Sequence, residues 1–262
     1  MAETTMGGRI RSALRGKGLA GTLGAGAKIL ADWTMARWWA FWYGTFRVPG
    51  WRSRRFTCLG AEYAYFYHSY NSTYRSERAV ELPVALSARQ SFHGRRVLEV
   101  GNVLSHYARC DHTVLDKYER LDGIVNRLER YDPGAITLVN ADVVDWTPPA
   151  AFDLIVSVST LEHVGWDETP REPGKLLVAV DRLRAMLAPG GTLLVTMPLG
   201  HNAELDAALA DGRLRFARQA FLKRVSRDNV WREVPWGEVA GIGYNRPFPS
   251  ANAVVIGMDT GA

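Results

Sequence analysis

From Arg95 onward short apolar runs alternate with turn residues and helical patterns. The runs predict strands over Arg96 to Val100, Thr113 to Leu115, Ile136 to Val139, Leu154 to Ser157, Thr192 to Thr196 and Ala253 to Gly257. Their Val, Leu and Ile content suits strands buried on both faces, as in a parallel sheet. Between two of them, Leu176, Leu177, Val180, Leu183 and Leu187 recur at helical spacing, and Pro189-Gly190-Gly191 is expected to end that helix. Repetition of strand, helix, strand implies right-handed crossovers. The expected fold is α/β, Rossmann-like and doubly wound, a mostly parallel sheet with helices on both faces and an N-terminal helical extension.

Upstream the pattern changes. The first thirty residues are basic and rich in Gly and Ala, and each of Gly18, Gly21, Gly24 and Gly26 weakens a helix by up to about 1 kcal/mol relative to Ala. Met35, Trp38, Trp39, Trp42 and Phe46 then form an apolar stripe at helical spacing, flanked by arginines. Two readings are open for residues 9–47: peripheral contact with an anionic membrane surface, or packing on the protein's own body or on a second copy in a homodimer. Asn71 or Ser72 is placed to cap a helix running through Ala79, Val80, Leu82 and Leu86, which Pro83 would shorten or kink. The expected division is a basic Trp-rich extension over 1–55, a cap or lid segment over 56–92 and a cofactor-binding domain over 93–262.

Composition narrows this picture. A chain of 262 residues, 47% hydrophobic and 23% charged, suits one α/β domain with an extension. Net charge is +5, but residues 1–55 carry ten Lys or Arg against Glu3 and Asp32, so the remainder is net negative. The basic character belongs to the extension, and no nucleic-acid partner is expected. Cys58 and Cys110 form neither a CxxC pair nor a disulfide framework, which fits the cytoplasm, at the inner membrane face if the membrane reading holds. Lys28, Asp32 and Arg37 interrupt the apolar stretches, so no spanning helix and no signal peptide are expected.

Candidate chemistry gathers where strands end. Val97-Leu-Glu99-Val-Gly101-Asn102-Val-Leu-Ser105 runs from an apolar strand into an acidic residue and a glycine that permits a tight turn. Leu115-Asp116-Lys117 places a carboxylate able to accept two bonds from vicinal hydroxyls after the next strand, with Glu119 in reserve. Val139-Asn-Ala-Asp142-Val143 follows a third strand, and Ser159-Thr-Leu-Glu162-His163 a fourth. Ligands bind along that edge of an open α/β sheet.

These segments, with Pro189-Gly-Gly-Thr-Leu-Leu-Val-Thr-Met-Pro198, resemble the class I S-adenosylmethionine-dependent methyltransferases over roughly residues 92–200. The resemblance implies S-adenosylmethionine as cofactor and a small hydroxylated acceptor, such as a sugar or glycan precursor, for O-methylation. It places Glu99 at the cofactor's amino group, directly or through water, Gly101 beside its methionine part, Asp116 at its ribose, Asp142 at its adenine amino group and the Leu161-Glu-His163 triplet beside its methyl group, with Asn102, Lys117, Val143 and Ser159 also in the cofactor site. The family's alternate glycines are replaced here by Val103 and Ser105. That departure disfavours a dinucleotide pyrophosphate, which needs several exposed backbone N–H groups.

His163 is the expected general base for a hydroxyl acceptor, oriented by Glu162. Tyr70, Asn71, Tyr74 and Arg75, with His201 and Asn202 after the fifth strand, are expected to hold the acceptor. Glu162, His163, Asp167 and Glu168 with the distant His201 offer ligands for magnesium or another divalent ion, but no tight ligand spacing supports it, and no metal is expected. The readings weighed against this one are a non-catalytic cofactor-binding scaffold whose working surface is the extension, and a nicotinamide dehydrogenase.

Overall fold

The structure is a computed structural model that describes Thr34, Trp38 and residues 41–68, 70–121, 132 and 134–261. The chain divides into two compact units, Met1–Trp51 and Arg52–Ala262. In the first, a π-helical turn over Tyr43–Arg47 runs into a short α-helical turn over Val48–Trp51. Trp38, Trp42 and Phe46 are exposed and touch in succession, with ring centroids 5.8 and 4.6 Å apart; Met35 and Trp39 of the expected stripe lie outside the described residues. Residues 9–33 of the extension lie outside the described residues. Among the described residues, no helix is long and apolar enough to cross a membrane.

The second unit opens with an antiparallel hairpin of β1 (Arg55–Cys58) and β2 (Ala61–Ala64), followed by helix α1 (Arg78–Ser91). The main sheet contains β3 (Val97–Val100), β4 (Thr113–Leu115), β5 (Thr137–Val139), β6 (Phe152–Val158), β7 (Leu187–Pro198), β8 (Arg218–Arg224), β9 (Trp231–Val234) and β10 (Ala253–Thr260). Helix α2 (Lys175–Ala185) joins β6 to β7, and α3 (Ala203–Ala210) follows β7. The strand order is β5-β4-β3-β6-β7-β10-β8-β9. The first five are parallel, and β10, β8 and β9 close the sheet antiparallel. Chain order therefore reverses between β3 and β6, which opens a crevice at their carboxyl ends. The doubly wound, mostly parallel sheet matches the expected fold class. All six predicted strands occur, while β8 and β9 carry no expectation.

Both faces of the sheet are buried. Ile155, Leu193, Val195 and Val255 pack with Leu176, Val180 and Leu183 of α2 on one side. Val156, Leu194, Val254 and Ile256 pack with Val80, Leu82 and Val84 of α1 on the other, where Phe56, Leu222 and Trp231 extend the layer. Neighbouring residues of one strand thus serve opposite cores, as a pleat of period two requires.

Two local expectations need correction. Asn71 and Ser72 do not cap a helix; both adopt left-handed backbone, and α1 begins only at Arg78. Pro83 then sits inside α1 without ending it. Pro83 lacks the N–H that would bond the carbonyl of Ala79, and the backbone N–H of Phe66 takes that carbonyl instead, at 2.9 Å. Likewise, α2 stops at Ala185, before Pro189-Gly190-Gly191. That tripeptide forms an irregular start to β7, where the register with β6 jumps from Phe152–Leu187 to Leu154–Thr192.

Candidate active site

A cleft of about 890 Å³ follows the carboxyl ends of β3, β4, β5 and β6. Gly101, Asn102, Asp116, Lys117, Asp142, Val143, Ser159 and His163 all line it, so residues spread over sixty positions share one wall. A second cavity, of about 210 Å³, is lined by Asn71, Glu77, Arg78, Ser159, Glu162, His163, His201 and Tyr244 among others. Ser159 and His163 belong to both. This junction is where a ligand in the cleft would meet one in the cavity.

Each strand end shapes its residues differently. Gly101 has φ +82°, and a Cβ there would stand 2.1 Å from Thr160 Oγ1. Glycine is therefore needed for its backbone and for the close approach of Thr160, in addition to any ligand. Glu99 does not reach the cleft, which corrects its expected place at the cofactor's amino group. It is fully buried; Oε1 accepts the backbone N–H groups of Val103 and Leu104 at 2.8 and 2.7 Å, and Oε2 bonds His112 Nε2 at 2.8 Å. Both oxygens are spent on shaping the loop that carries Gly101 and Asn102.

Asp116 Oδ1 accepts from Tyr118 and Glu119 N–H groups at 2.8 and 2.7 Å, an Asx turn that holds the carboxylate at the cleft. Asp142 lines the same wall, but its carboxylate is engaged. Lys117 and Lys175 donate to Oδ2 at 2.9 and 2.8 Å, and Val144 N–H bonds Oδ1 at 3.2 Å. Partial burial by itself raises the Asp142 pKa, and the bonds from Lys175 and Lys117 outweigh it, bringing the group down to about 2. Both lysines share Oδ2, while Oδ1 accepts the Val144 N–H and keeps a second lone pair, the atom an adenine amino group would meet. Glu168, another candidate metal ligand, joins the same network through Lys175 at 2.7 Å.

The turn after β6 carries the titratable centre. Ser159 has φ +40°, a conformation costing a non-glycine residue about 1–3 kcal/mol. Glu81 of α1 helps hold it there, its Oε1 accepting from Ser159 Oγ at 2.7 Å and Thr196 Oγ1 at 2.8 Å while Arg78 pairs Oε2 at 2.7 Å. His163 Nδ1 lies 2.5 Å from Asp167 Oδ2, and its Nε2 lies 3.5 Å from Glu162 Oε1. The hydrogen bond to His163 holds the Asp167 carboxyl below its ordinary value, against slight desolvation.

An ionised carboxylate only accepts, so His163 Nδ1 is the donor and Nε2 carries the lone pair. Asp167, and not Glu162, is thus the residue that orients the imidazole. Glu162 is buried, its Oε2 has no hydrogen-bond partner, and burial raises its pKa well above the usual range, with Glu81 and Glu77 adding to the effect against Arg78 and a backbone N–H. A group held protonated in this way is a poor partner for fixing a histidine.

The acceptor-side expectations separate. Asn71 and His201 line the small cavity. Tyr70 lies outside that lining and stacks on His106 at 4.6 Å; Tyr74 is buried, with its hydroxyl 3.3 Å from Ser72 Oγ; the Arg75 carbonyl accepts from Arg224 at 3.0 Å. Asn202 is a helix cap: Oδ1 accepts from Glu204 and Leu205 N–H groups, and Nδ2 donates to the Glu162 carbonyl at 2.7 Å. These four are therefore corrected to supporting positions. The cavity uses Ser76, Glu77, Arg78 and Tyr244 instead. The adjacent charges Glu77 and Arg78 at the start of α1 could have been noticed, but nothing local marks Tyr244, which lies in the long connection before β10.

Comparisons with known proteins come to rest on structure alone. No family model matches the chain, and no curated protein does. Among solved structures it is similar to the N-methyltransferase NodS from Bradyrhizobium japonicum, solved with S-adenosyl-L-homocysteine, at 18% identity and TM-score 0.42, covering 69% of this chain and 83% of that one. It is also similar to TehB from Haemophilus influenzae, at 13% identity and TM-score 0.41 over 74% of this chain and 65% of the other. An rRNA methylase from Streptococcus thermophilus shows 13% identity and TM-score 0.40 over 68% and 97% of the respective chains.

Proposed function

We propose that this protein is an S-adenosylmethionine-dependent methyltransferase acting on a small hydroxylated acceptor, with sugars or glycan precursors foremost. The observation that carries this reading is the charge of the cleft beside the shared position of His163. Five carboxylate residues, Asp116, Glu119, Asp142, Asp167 and Glu168, line it against Lys117, with Lys175 behind Asp142 and Glu168, so the wall stays net negative. Such a wall repels a pyrophosphate and suits a cationic sulfonium, while Asp116 offers the acceptor geometry a ribose diol needs. One glycine in place of several also fits a ligand without phosphates.

When bound in the cleft, S-adenosylmethionine supplies an activated methyl group on a positively charged sulfur. The chain's own contribution is alignment, worth up to about 7–11 kcal/mol in favourable intramolecular cases, and proton removal. His163, which lines the small cavity as well as the cleft, takes the proton of an acceptor hydroxyl placed there, with Asp167 holding the ring and steadying the imidazolium that forms. Glu77, Glu162, Arg78, Asn71 and His201 provide the polar surroundings for a hydroxyl-rich molecule.

Calorimetric titration with S-adenosylmethionine and with NADH tests the cofactor. Micromolar binding of the first and none of the second is expected; no heat from S-adenosylmethionine would remove the reading. A product-mass screen of hydroxylated metabolites with labelled cofactor then identifies the acceptor. His163→Ala should lower turnover by about two to four decades while leaving cofactor affinity nearly intact.

A further inference from the structure

We propose that His163, Asp167 and His201 form a binding site for a divalent transition-metal ion of the zinc class, and that its occupation switches His163 from proton acceptor to proton donor. Their candidate ligand atoms all lie within 4.8 Å of one another. Asp167 Oδ2 is 2.5 Å from His163 Nδ1 and 3.4 Å from His201 Nε2, and the two imidazole rings sit 4.9 Å apart. Two ligand atoms held about 2.1 Å from one tetrahedral ion stand about 3.4 Å apart. The Asp167–His201 spacing already has that value. The Asp167–His163 hydrogen bond must open by about 1 Å, and both side chains are half exposed, which leaves them room to do so.

The framework holds the three groups together. His163 and Asp167 share one turn, in which Asp167 N–H bonds the His163 carbonyl at 3.0 Å. His201 comes from the far side of β7, but Asn202 beside it donates to the carbonyl of Glu162 beside His163, at 2.7 Å. Tyr244 packs edge-on to the His201 ring at 5.4 Å. Two imidazoles and one carboxylate select zinc, cobalt or a similar ion over magnesium, whose preference is for oxygen. Three protein ligands leave a further coordination position open, and the half-exposed side chains give an ion an entry path.

The consequence for His163 follows from its two nitrogens and rests on the methyl-transfer reading above. Without an ion, Nδ1–H bonds Asp167 and Nε2 keeps the lone pair. An ion on Nδ1 takes the place of the proton there and binds the lone pair that the proton leaves behind; the ring stays neutral by carrying its one N–H on Nε2, whose lone pair takes up the proton. Glu162 Oε1 lies 3.5 Å away on that side. A donor at Nε2 cannot accept the acceptor's proton, so the ion inhibits.

The full chain, stripped with a chelator and titrated with Co²⁺, tests the site through its visible ligand-field absorption. The expected result is one Co²⁺ per chain, displaced by Zn²⁺ and not by Mg²⁺, with the band lost in His201→Ala and in Asp167→Ala and retained in the exposed-surface control His93→Ala. Circular dichroism confirms that each variant folds. No band, or one that persists in both ligand variants, overturns the site. Zn²⁺ should also suppress methyl transfer and EDTA restore it. Metal binding in a chain that transfers no methyl group would keep the site and refute the methyltransferase reading; methyl transfer untouched by saturating Zn²⁺ would refute the switch.

Discussion

Lys175 offers the clearest energetic test of how the cleft is held. Its ammonium is nearly buried and lies 2.8 Å from Asp142, 2.7 Å from Glu168 and 3.2 Å from Glu172. The fall of the Asp142 pKa from 3.8 to about 2 corresponds to about 2.4 kcal/mol at 1.36 kcal/mol per pH unit. Lys117 supplies part of this and the open cleft screens the rest, so Lys175→Met, which keeps the apolar stem, should cost about 1–2 kcal/mol at pH 7. For a domain of this size that lowers Tm by about 2–4 °C per kcal/mol. The sign with pH is definite: a depressed carboxyl contributes stability above its unfolded pKa near 3.8 and loses it as pH falls through about 2. Urea unfolding of both proteins, from pH 7 down to the lowest pH at which the wild type folds, should show the two curves converging below about pH 4. A difference of constant size across that range would mean that lost packing, and not lost charge, is responsible, and the ion-pair account would fail.

Other substitutions read other joints. Gly101→Ala forces a Cβ into Thr160 at a left-handed position and should cost about 2–4 kcal/mol, partly recovered by adding Thr160→Ala; thermal melts of the single and double variants decide it. Glu162→Gln removes a carboxyl whose pKa burial holds above its unfolded value. The wild type is therefore penalised as pH rises past about 4.5, and the variant should be the more stable at pH 8, with the gain vanishing near pH 4 in parallel melts. Asn202→Ala should lose about 1–2 kcal/mol through the cap of α3, and should lower turnover more than cofactor affinity because the Glu162 carbonyl loses its anchor.

Much of the parallel half of the sheet was readable before folding. Leu98, Val100, Ile155, Val156, Leu193 and Leu194 are buried on both faces, so their strands appear as continuous apolar runs with turn residues after them. The strands that escaped are of another kind. In β8, Arg218, Gln219, Lys223 and Arg224 surround a short apolar middle, and β9 exposes Arg232 and Glu233 at the sheet edge. Of the two, only β9 is an edge strand; β8 is paired on both sides, but its apolar run of three residues between charged ends is too short to stand out.

For the site, sequence order sufficed to name Gly101, Asp116, Asp142 and His163 as candidates, because parallel strands deliver their following residues to one edge whatever the details of packing. What those side chains do with their atoms was decided only in three dimensions. Glu99 bonds loop N–H groups and His112, one oxygen of Asp142 meets two lysines, and Asn202 caps a helix end, with partners from a few to dozens of residues away. His163 finds Asp167 one turn on and His201 across β7, although no spacing rule joins 163 to 201. A carboxylate's position along the chain says that it can accept hydrogen bonds; which donors reach it first depends on how the sheet, its crossovers and α1 close around it.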